Sequence, residues 1–203
     1  MLGRFPAGGG IYEKTLQEMR FDVIIIGGGP AGTEVGTILQ KAGRKCLIVS
    51  SGLSLGPSRR SEFVTSGGTL LPGDTVTGGD FEGDVLRRVR TEKLVGTALE
   101  ADCFVLASGK FFSKGLISTM DRIYEPVFGC DVEYDSDREK WVNPDFFADQ
   151  PFEKFGVRAD ECGRVSIGGR FMENLYAAGE VLAGPADIEG SAALVAEQIM
   201  GRM

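Results

Sequence analysis

Gly27, Gly29 and Gly32 are spaced as G-x-G-x-x-G, a pattern that leaves backbone N–H groups bare where a tight turn enters a helix. Groups of that kind hold an anion, and the pyrophosphate of a dinucleotide is the anion this spacing suits. Gly27 permits the turn, Gly29 lets phosphate approach without meeting a Cβ, and Gly32 lets the helix press on the strand. Gly28 and Pro30 fit the same place, since proline suits a first helical turn, and Ala31 continues it. Gly36 falls one helical turn further on and extends the close approach. The chain contains no histidine, which excludes a histidine triad, a histidine metal site and the commonest general base. Proton transfer is left to Asp, Glu, Lys, Tyr or water, and no residue is assigned a catalytic role.

The elements around the turn have the order that the motif requires. An apolar strand, Phe21 to Ile26, precedes it; a helix over Ala31 to Ala42 and a second apolar run, Cys46 to Val49, follow. At the end of that second strand, where an acid usually accepts bonds from an adenosine ribose, stand Ser50, Ser51 and Gly52. Exchanging charge-assisted bonds for neutral ones costs roughly 1 kcal/mol of affinity, and argues against a strict preference for NAD. Arg59 and Arg60 lie far past the strand end and read as a solvated loop; the alternative is contact with an NADP 2′-phosphate. Ser58 to Ser66 has helical character. Thr69 to Leu71 and Thr75 to Thr77 read as one strand interrupted by Pro72-Gly73, and Gly83-Asp84 turns a hairpin between Asp80–Glu82 and Val85–Thr91. A buried run, Leu99 to Ala107, leads into Ser108-Gly109, and Lys110 to Ser118 suggests a short helix. Asn174 to Ala178 is a further buried strand reaching Gly179-Glu180, and Ser191 to Met200 a closing helix. Between them, Tyr124 to Ala159 is irregular. Its Trp141, Phe146, Phe147, Phe152 and Phe155 suit a satellite core, or else the cover of a cofactor ring or a partner surface.

Composition narrows the class. A chain of 203 residues buries a real core in one domain. Its net charge of -7, with no basic cluster, excludes nucleic acid as an expected partner. No apolar run approaches the length of a membrane span and no cationic-then-apolar leader is seen, so the expectation is a cytoplasmic chain. Cys46, Cys103, Cys130 and Cys162 are too dispersed for a zinc or iron–sulfur site, so no metal is expected. Cys46 and Cys103 read as small buried residues, and nothing favours a Cys130–Cys162 disulfide.

The assembled order resembles that of FAD-dependent two-domain oxidoreductases. Three motifs carry the resemblance: the turn at Gly27; Phe104-Val105-Leu106-Ala107-Ser108-Gly109, similar to the A-T-G segment that closes over the cofactor; and Asn174-Leu175-Tyr176-Ala177-Ala178-Gly179-Glu180, similar to the last FAD motif. A closer similarity is to the B-subunit family of anaerobic glycerol-3-phosphate dehydrogenases. It rests on Gln40-Lys41-Ala42-Gly43 with Cys46 to Ser50, on Ala107 to Leu116, and on Asp121 to Gly129. That family also tends to lack the acid at the position of Ser50. Where it carries a long segment with a substrate-facing domain, this sequence has only Gly52 to Gly68.

The resemblance implies an α/β, Rossmann-like FAD/NAD(P)-binding domain: a central parallel sheet with helices and a small antiparallel meander. Residues 1–20 form an N-terminal tail and 21–203 a single domain, with the meander at about 69–100 and an irregular insertion at about 120–160. It implies FAD, with FMN as the alternative. Gly27, Gly29, Pro30, Ala31 and Gly32 would lie at the pyrophosphate, and Ser50, Ser51, Gly52 and Val76 at the adenosine. Ala107, Ser108 and Gly109 would close over the cofactor. Gly179 and Glu180 would hold the ribityl chain, and the helix start near Gly190 to Ala192 would point at the flavin N1–C2=O edge. Lys110 and Lys114 are the basic candidates nearby, although surface lysines are the commoner case. The implied function is a flavin-binding oxidoreductase subunit that passes electrons from a small substrate to a partner subunit or the quinone pool. Other oxidoreductase subunits or a homo-oligomer are the implied partners, with any membrane contact made through a partner. The alternatives are a non-catalytic assembly protein of the same fold, or a small NAD(P)H-dependent reductase.

Overall fold

The computed structural model describes residues 20–52 and 62–202. Its first strand, β1 (Phe21–Ile26), is apolar on both faces because both are covered. Val23 and Ile25 face a helical layer, and Ile24 and Ile26 face the core beneath the hairpin and the insertion. Helix α1 (Pro30–Lys41) crosses over to β2 (Cys46–Ser50), which pairs parallel to β1. Residues 62–65 are helical, and β3 (Thr69–Pro72) follows parallel to β2. The hairpin of β4 (Val76–Glu82) and β5 (Val85–Thr91) leads into β6 (Ala98–Leu106). The start of β6 pairs antiparallel with β5 and its remainder pairs parallel with β1, so one strand joins meander and sheet.

Beyond β6 the chain makes two short ladders, β7 (Ile117–Ser118) with β8 (Ile123–Tyr124) and β9 (Val132–Glu133) with β10 (Gly156–Val157). It then returns through β11 (Arg164–Ile167) and β12 (Arg170–Ala177), the latter parallel to β6, and ends in α2 (Ile188–Arg202). The sheet order is β11-β12-β6-β1-β2-β3. The chain thus winds from β1 toward β3 on one side and lays down β6 and β12 on the other. The reversal places a crevice at the C-terminal ends of β1 and β6, where ligands of open α/β sheets bind. The α/β, Rossmann-like class is therefore the observed one.

Asn174 on β12 fastens the meander to the sheet. Its Oδ1 accepts from Leu86 N at 2.8 Å, while its Nδ2 donates to the carbonyls of Leu86 and Asp102 at 2.8 and 2.9 Å. A buried amide with these partners substitutes for a missing strand contact.

Several elements depart from the expectations drawn from sequence. Thr69–Leu71 and Thr75–Thr77 belong to different strands: β3 extends the parallel sheet, and the antiparallel meander begins only at Val76. The break arises because Gly73 N donates to Gly52 O and Asp74 N to Ser50 O, tying the intervening turn to the end of β2. Lys110 to Ser118 is not a helix. The N–H groups of Gly115 and Leu116 both return to Lys110 O, and Lys114 sits at φ 62, which stops helical propagation. The last helix starts at Ile188, ahead of Ser191. In the insertion, Tyr134, Trp141 and Phe155 form a T-shaped ring cluster in the core, whereas Phe146 and Phe147 are exposed. All four cysteines are free thiols. Residues 1–19 of the expected tail at 1–20, Arg59, Arg60 and the start of the helix at Ser58 lie outside the described residues.

Candidate functional site

Three close approaches between backbone segments build the crevice. At φ +115 Gly27 turns sharply out of β1, and a Cβ there would stand 2.2 Å from Ala107 O, at the exit of β6. A Cβ on Gly32 would stand 2.0 Å from Gly27 O, so α1 rests directly on the turn that it leaves. The exit of β12 closes the third side: a Cβ on Gly179 would stand 2.4 Å from the Ala31 Cβ. Segments distant in sequence thus meet at the start of α1. Backbone bonds hold them, with Gly27 N donating to Val49 O, Ala107 N to Ile26 O and Ala178 N to Leu106 O.

Gly29 differs from its neighbours. Its φ is -76, and a Cβ there would meet nothing within 4 Å. Nothing in the fold requires glycine at this position, and the space in front of it is open. No side chain caps α1 and no acid lies in its first turn, so its leading N–H groups and the positive end of its dipole face that space. Thr33 stabilises the turn from behind, donating N–H and Oγ1 to Gly29 O at 3.0 and 2.8 Å.

The open space belongs to a cleft of about 900 Å3, at the upper end of small-molecule sites. Gly27, Gly29, Pro30 and Ala31 line it, as do Ser50, Ser51, Gly52 and Val76 on the β2 side. Ala107, Ser108, Gly109 and Glu180 line it on the β6 and β12 side. Gly32, Gly179 and Ala192 do not. The first two act from behind, through the close approaches above. Ala192 is a correction to the expectation from sequence: it is fully buried in the apolar layer beneath α2, and Ile188 is the residue of that helix on the cleft wall. The helix end is also not the open dipole that the sequence suggested. Asp187 Oδ1 accepts the Gly190 N–H at 2.9 Å, and Glu189 adds a second acid to the first turn.

Other lining residues stand outside the three motifs. Asp74 is buried at the β2 end, with Oδ1 accepting from Thr75 N and Lys93 N and Oδ2 from Thr91 Oγ1. It opens the Asp74-Thr75-Val76 segment, which the resemblance implies for backbone contacts to adenine and all of which lines the cleft. Phe112, Ile117, Pro126 and Val127 add an apolar margin that only the tertiary fold assembles. Glu125, just behind that margin, is buried, and its carboxylate accepts the N–H groups of Val127, Phe128, Gly129 and Cys130 at 2.7–3.3 Å. The two lysines separate: Lys114 lines the cleft, whereas Lys110 donates to Glu153 O. Partial burial lowers the Lys110 pKa, against the opposing pull of Glu180 and Glu153. Trp141, Phe146, Phe147, Phe152 and Phe155 all lie away from the cleft wall.

Solved structures share this architecture across almost the whole chain. The crystal structure of Thermovibrio ammonificans THI4 matches with a TM-score of 0.56 at 16% identity, over 96% of this chain and 94% of that one. A thioredoxin reductase from Gloeobacter violaceus matches with a TM-score of 0.54 at 14% identity, over 90% and 94%. These likenesses concern the fold alone. In sequence, the chain is 42% identical over 130 residues to the B subunit of anaerobic glycerol-3-phosphate dehydrogenase from Haemophilus influenzae, covering 62% of this chain and 30% of the relative. The corresponding protein of Vibrio vulnificus is 38% identical over 136 residues, 66% of this chain and 31% of that one. The chain therefore spans about a third of the length of these relatives. Among the described residues no helix is long and apolar enough to cross a membrane. The family model described as an FAD binding domain matches residues 55–189, more than half of the sequence, and takes up the chain just after the glycine turn and β2. FAD is accordingly the cofactor, and the chain belongs to the FAD binding domain family.

Proposed function

We propose that this chain is a flavin-binding oxidoreductase module resembling the B subunit of anaerobic glycerol-3-phosphate dehydrogenase, acting with partner subunits and passing electrons from a small substrate toward a partner or the quinone pool. The observation that carries the reading is the uncapped start of α1, open in front of Gly29 and clamped by Ala107 and Gly179. The residues fit FAD. The amides at Ala31 and Gly32 and the cradle at Gly29 suit its pyrophosphate. Ser50, Ser51, Gly52 and Val76 line the adenosine side. Ser108, Gly109 and Glu180 line the flavin side, where the Glu180 carboxylate is an acceptor for ribityl hydroxyls. When bound, FAD supplies a two-electron acceptor, and the protein orients it and shields it from water. The capped start of α2 gives this site little dipole with which to stabilise negative charge on a reduced flavin. Such a chain works at the cytoplasmic side, reaching a membrane through a partner.

The test is flavin content and reduction of the purified chain. A yellow protein that retains FAD through gel filtration, is stabilised by FAD more than by FMN or NAD, and is bleached by glycerol 3-phosphate once the partner subunits are added supports the reading. A colourless chain that gains no thermal stability from FAD overturns it. FAD retention without bleaching in the presence of partners overturns the substrate while leaving the cofactor.

A further inference from the structure

Among the described residues, Lys114 is the only non-glycine residue with positive φ, at 62°, and the only Lys or Arg on the cleft wall. A left-handed lysine is strained, because its Cβ crowds the backbone, and such strain persists only where the surroundings fix it. Here they do. Lys114 N donates to Phe111 O at 3.2 Å, and Gly115 N and Leu116 N return to Lys110 O at 2.9 and 3.3 Å. Ser113 Oγ donates to Ser108 O at 2.7 Å, and buried Leu116 anchors the exit. The loop folds back so tightly that a Cβ on Gly115 would stand 1.9 Å from Gly109 O. At its base the buried Ser108 hydroxyl has no hydrogen-bond partner among the described residues. Glycine or asparagine would fill the strained position at lower cost. A lysine there puts an exposed, cationic side chain on the wall of a cleft otherwise lined by backbone, apolar groups, hydroxyls and two carboxylates.

We propose that Lys114 is the specificity-determining residue that binds the anionic group of the substrate, a phosphate oxyanion, beside the flavin. This rests on the cleft being the flavin site. The α1 amides meet the cofactor's own pyrophosphate, which leaves Lys114 for a second phosphate. An ammonium serves there as a point charge on a rigid loop.

The experiment is calorimetric titration of inorganic phosphate into the FAD-saturated chain, for the native protein and for Lys114→Met and Lys114→Gly. Both variants should weaken phosphate binding about 10- to 100-fold, the loss of one charge-assisted contact, with FAD affinity unchanged. Lys114→Gly should also raise the thermal midpoint above that of Lys114→Met, because glycine relieves the strain. Unchanged phosphate binding in both variants overturns the proposal. So does a loss of FAD affinity with phosphate binding intact, which would assign the ammonium to the cofactor's phosphates. If the native chain does not retain FAD, the flavin reading fails separately, and the same titration on the unliganded chain still decides whether Lys114 binds phosphate.

Discussion

The two helices that converge on the cleft begin in opposite ways. Helix α1 opens on Gly29 with no side-chain cap and no acid in its first turn. Helix α2 opens on Asp187, whose carboxylate accepts the Gly190 N–H, with Glu189 alongside. A third cluster of amides, at Val127 to Cys130, is filled by buried Glu125. At these two places, where the amides serve only the fold, the chain supplies its own anion. None is supplied at α1, and that contrast supports the proposal that the start of α1 takes the ligand.

Substitutions can break this comparison in order of severity. The largest effect is expected at Gly27, where alanine would need both a left-handed backbone and a Cβ 2.2 Å from Ala107 O. Gly27→Ala should cost about 4 kcal/mol or more of unfolding free energy, or prevent folding, as read by urea titration. Next comes Glu125→Ala, which strips the acceptor from a filled amide cluster and should cost roughly 3 kcal/mol. The same change should not raise affinity for inorganic phosphate at α1; if it did, the two clusters would not be independent.

Alkaline pH probes the layer on which both helices rest. Burial pushes the Cys46 thiol up to about 12 and the Cys103 thiol to about 11, from an ordinary 9.0. Cys130 is raised as well, by burial and by Glu125. In the unfolded chain these thiols ionise near pH 9, while in the folded chain they stay neutral. Stability should therefore be flat with respect to them below pH 9. Above it, stability should fall by about 1.4 kcal/mol per pH unit for each thiol until the folded thiol itself ionises. A melting temperature unchanged from pH 8 to pH 11 would contradict the burial. The smallest effect is expected at the capped helix: Asp187→Ala should cost about 1 kcal/mol, with FAD affinity little changed.

Much of this was legible in the sequence because the G-x-G-x-x-G turn, Ala107 to Gly109 and Gly179-Glu180 each carry their geometry in local residue types. Glycine is needed at 27 and 32 by backbone contacts, and the pattern announces that directly. What remained hidden depends on long-range bonds. The assignment of Thr69 to Leu71 to the parallel sheet goes with Gly73 and Asp74 bonding the end of β2, a long-range contact that no local residue type announces. Lys110 to Ser118 has helical composition but closes as a loop because Gly115 packs on Gly109. Ala192 seemed to sit at a helix start because the Asp187 cap, which moves that start to Ile188, is one carboxylate among many in the sequence.

We propose that Gly29 serves the ligand, whereas the close contact at Gly27 serves the fold. Measuring unfolding free energy and FAD affinity together in Gly29→Val tests it most directly. Stability should stay within about 1 kcal/mol of the native chain, as for a change at a helix cap, and FAD affinity should fall about 100-fold or more. A variant that folds and binds FAD like the native chain would contradict it.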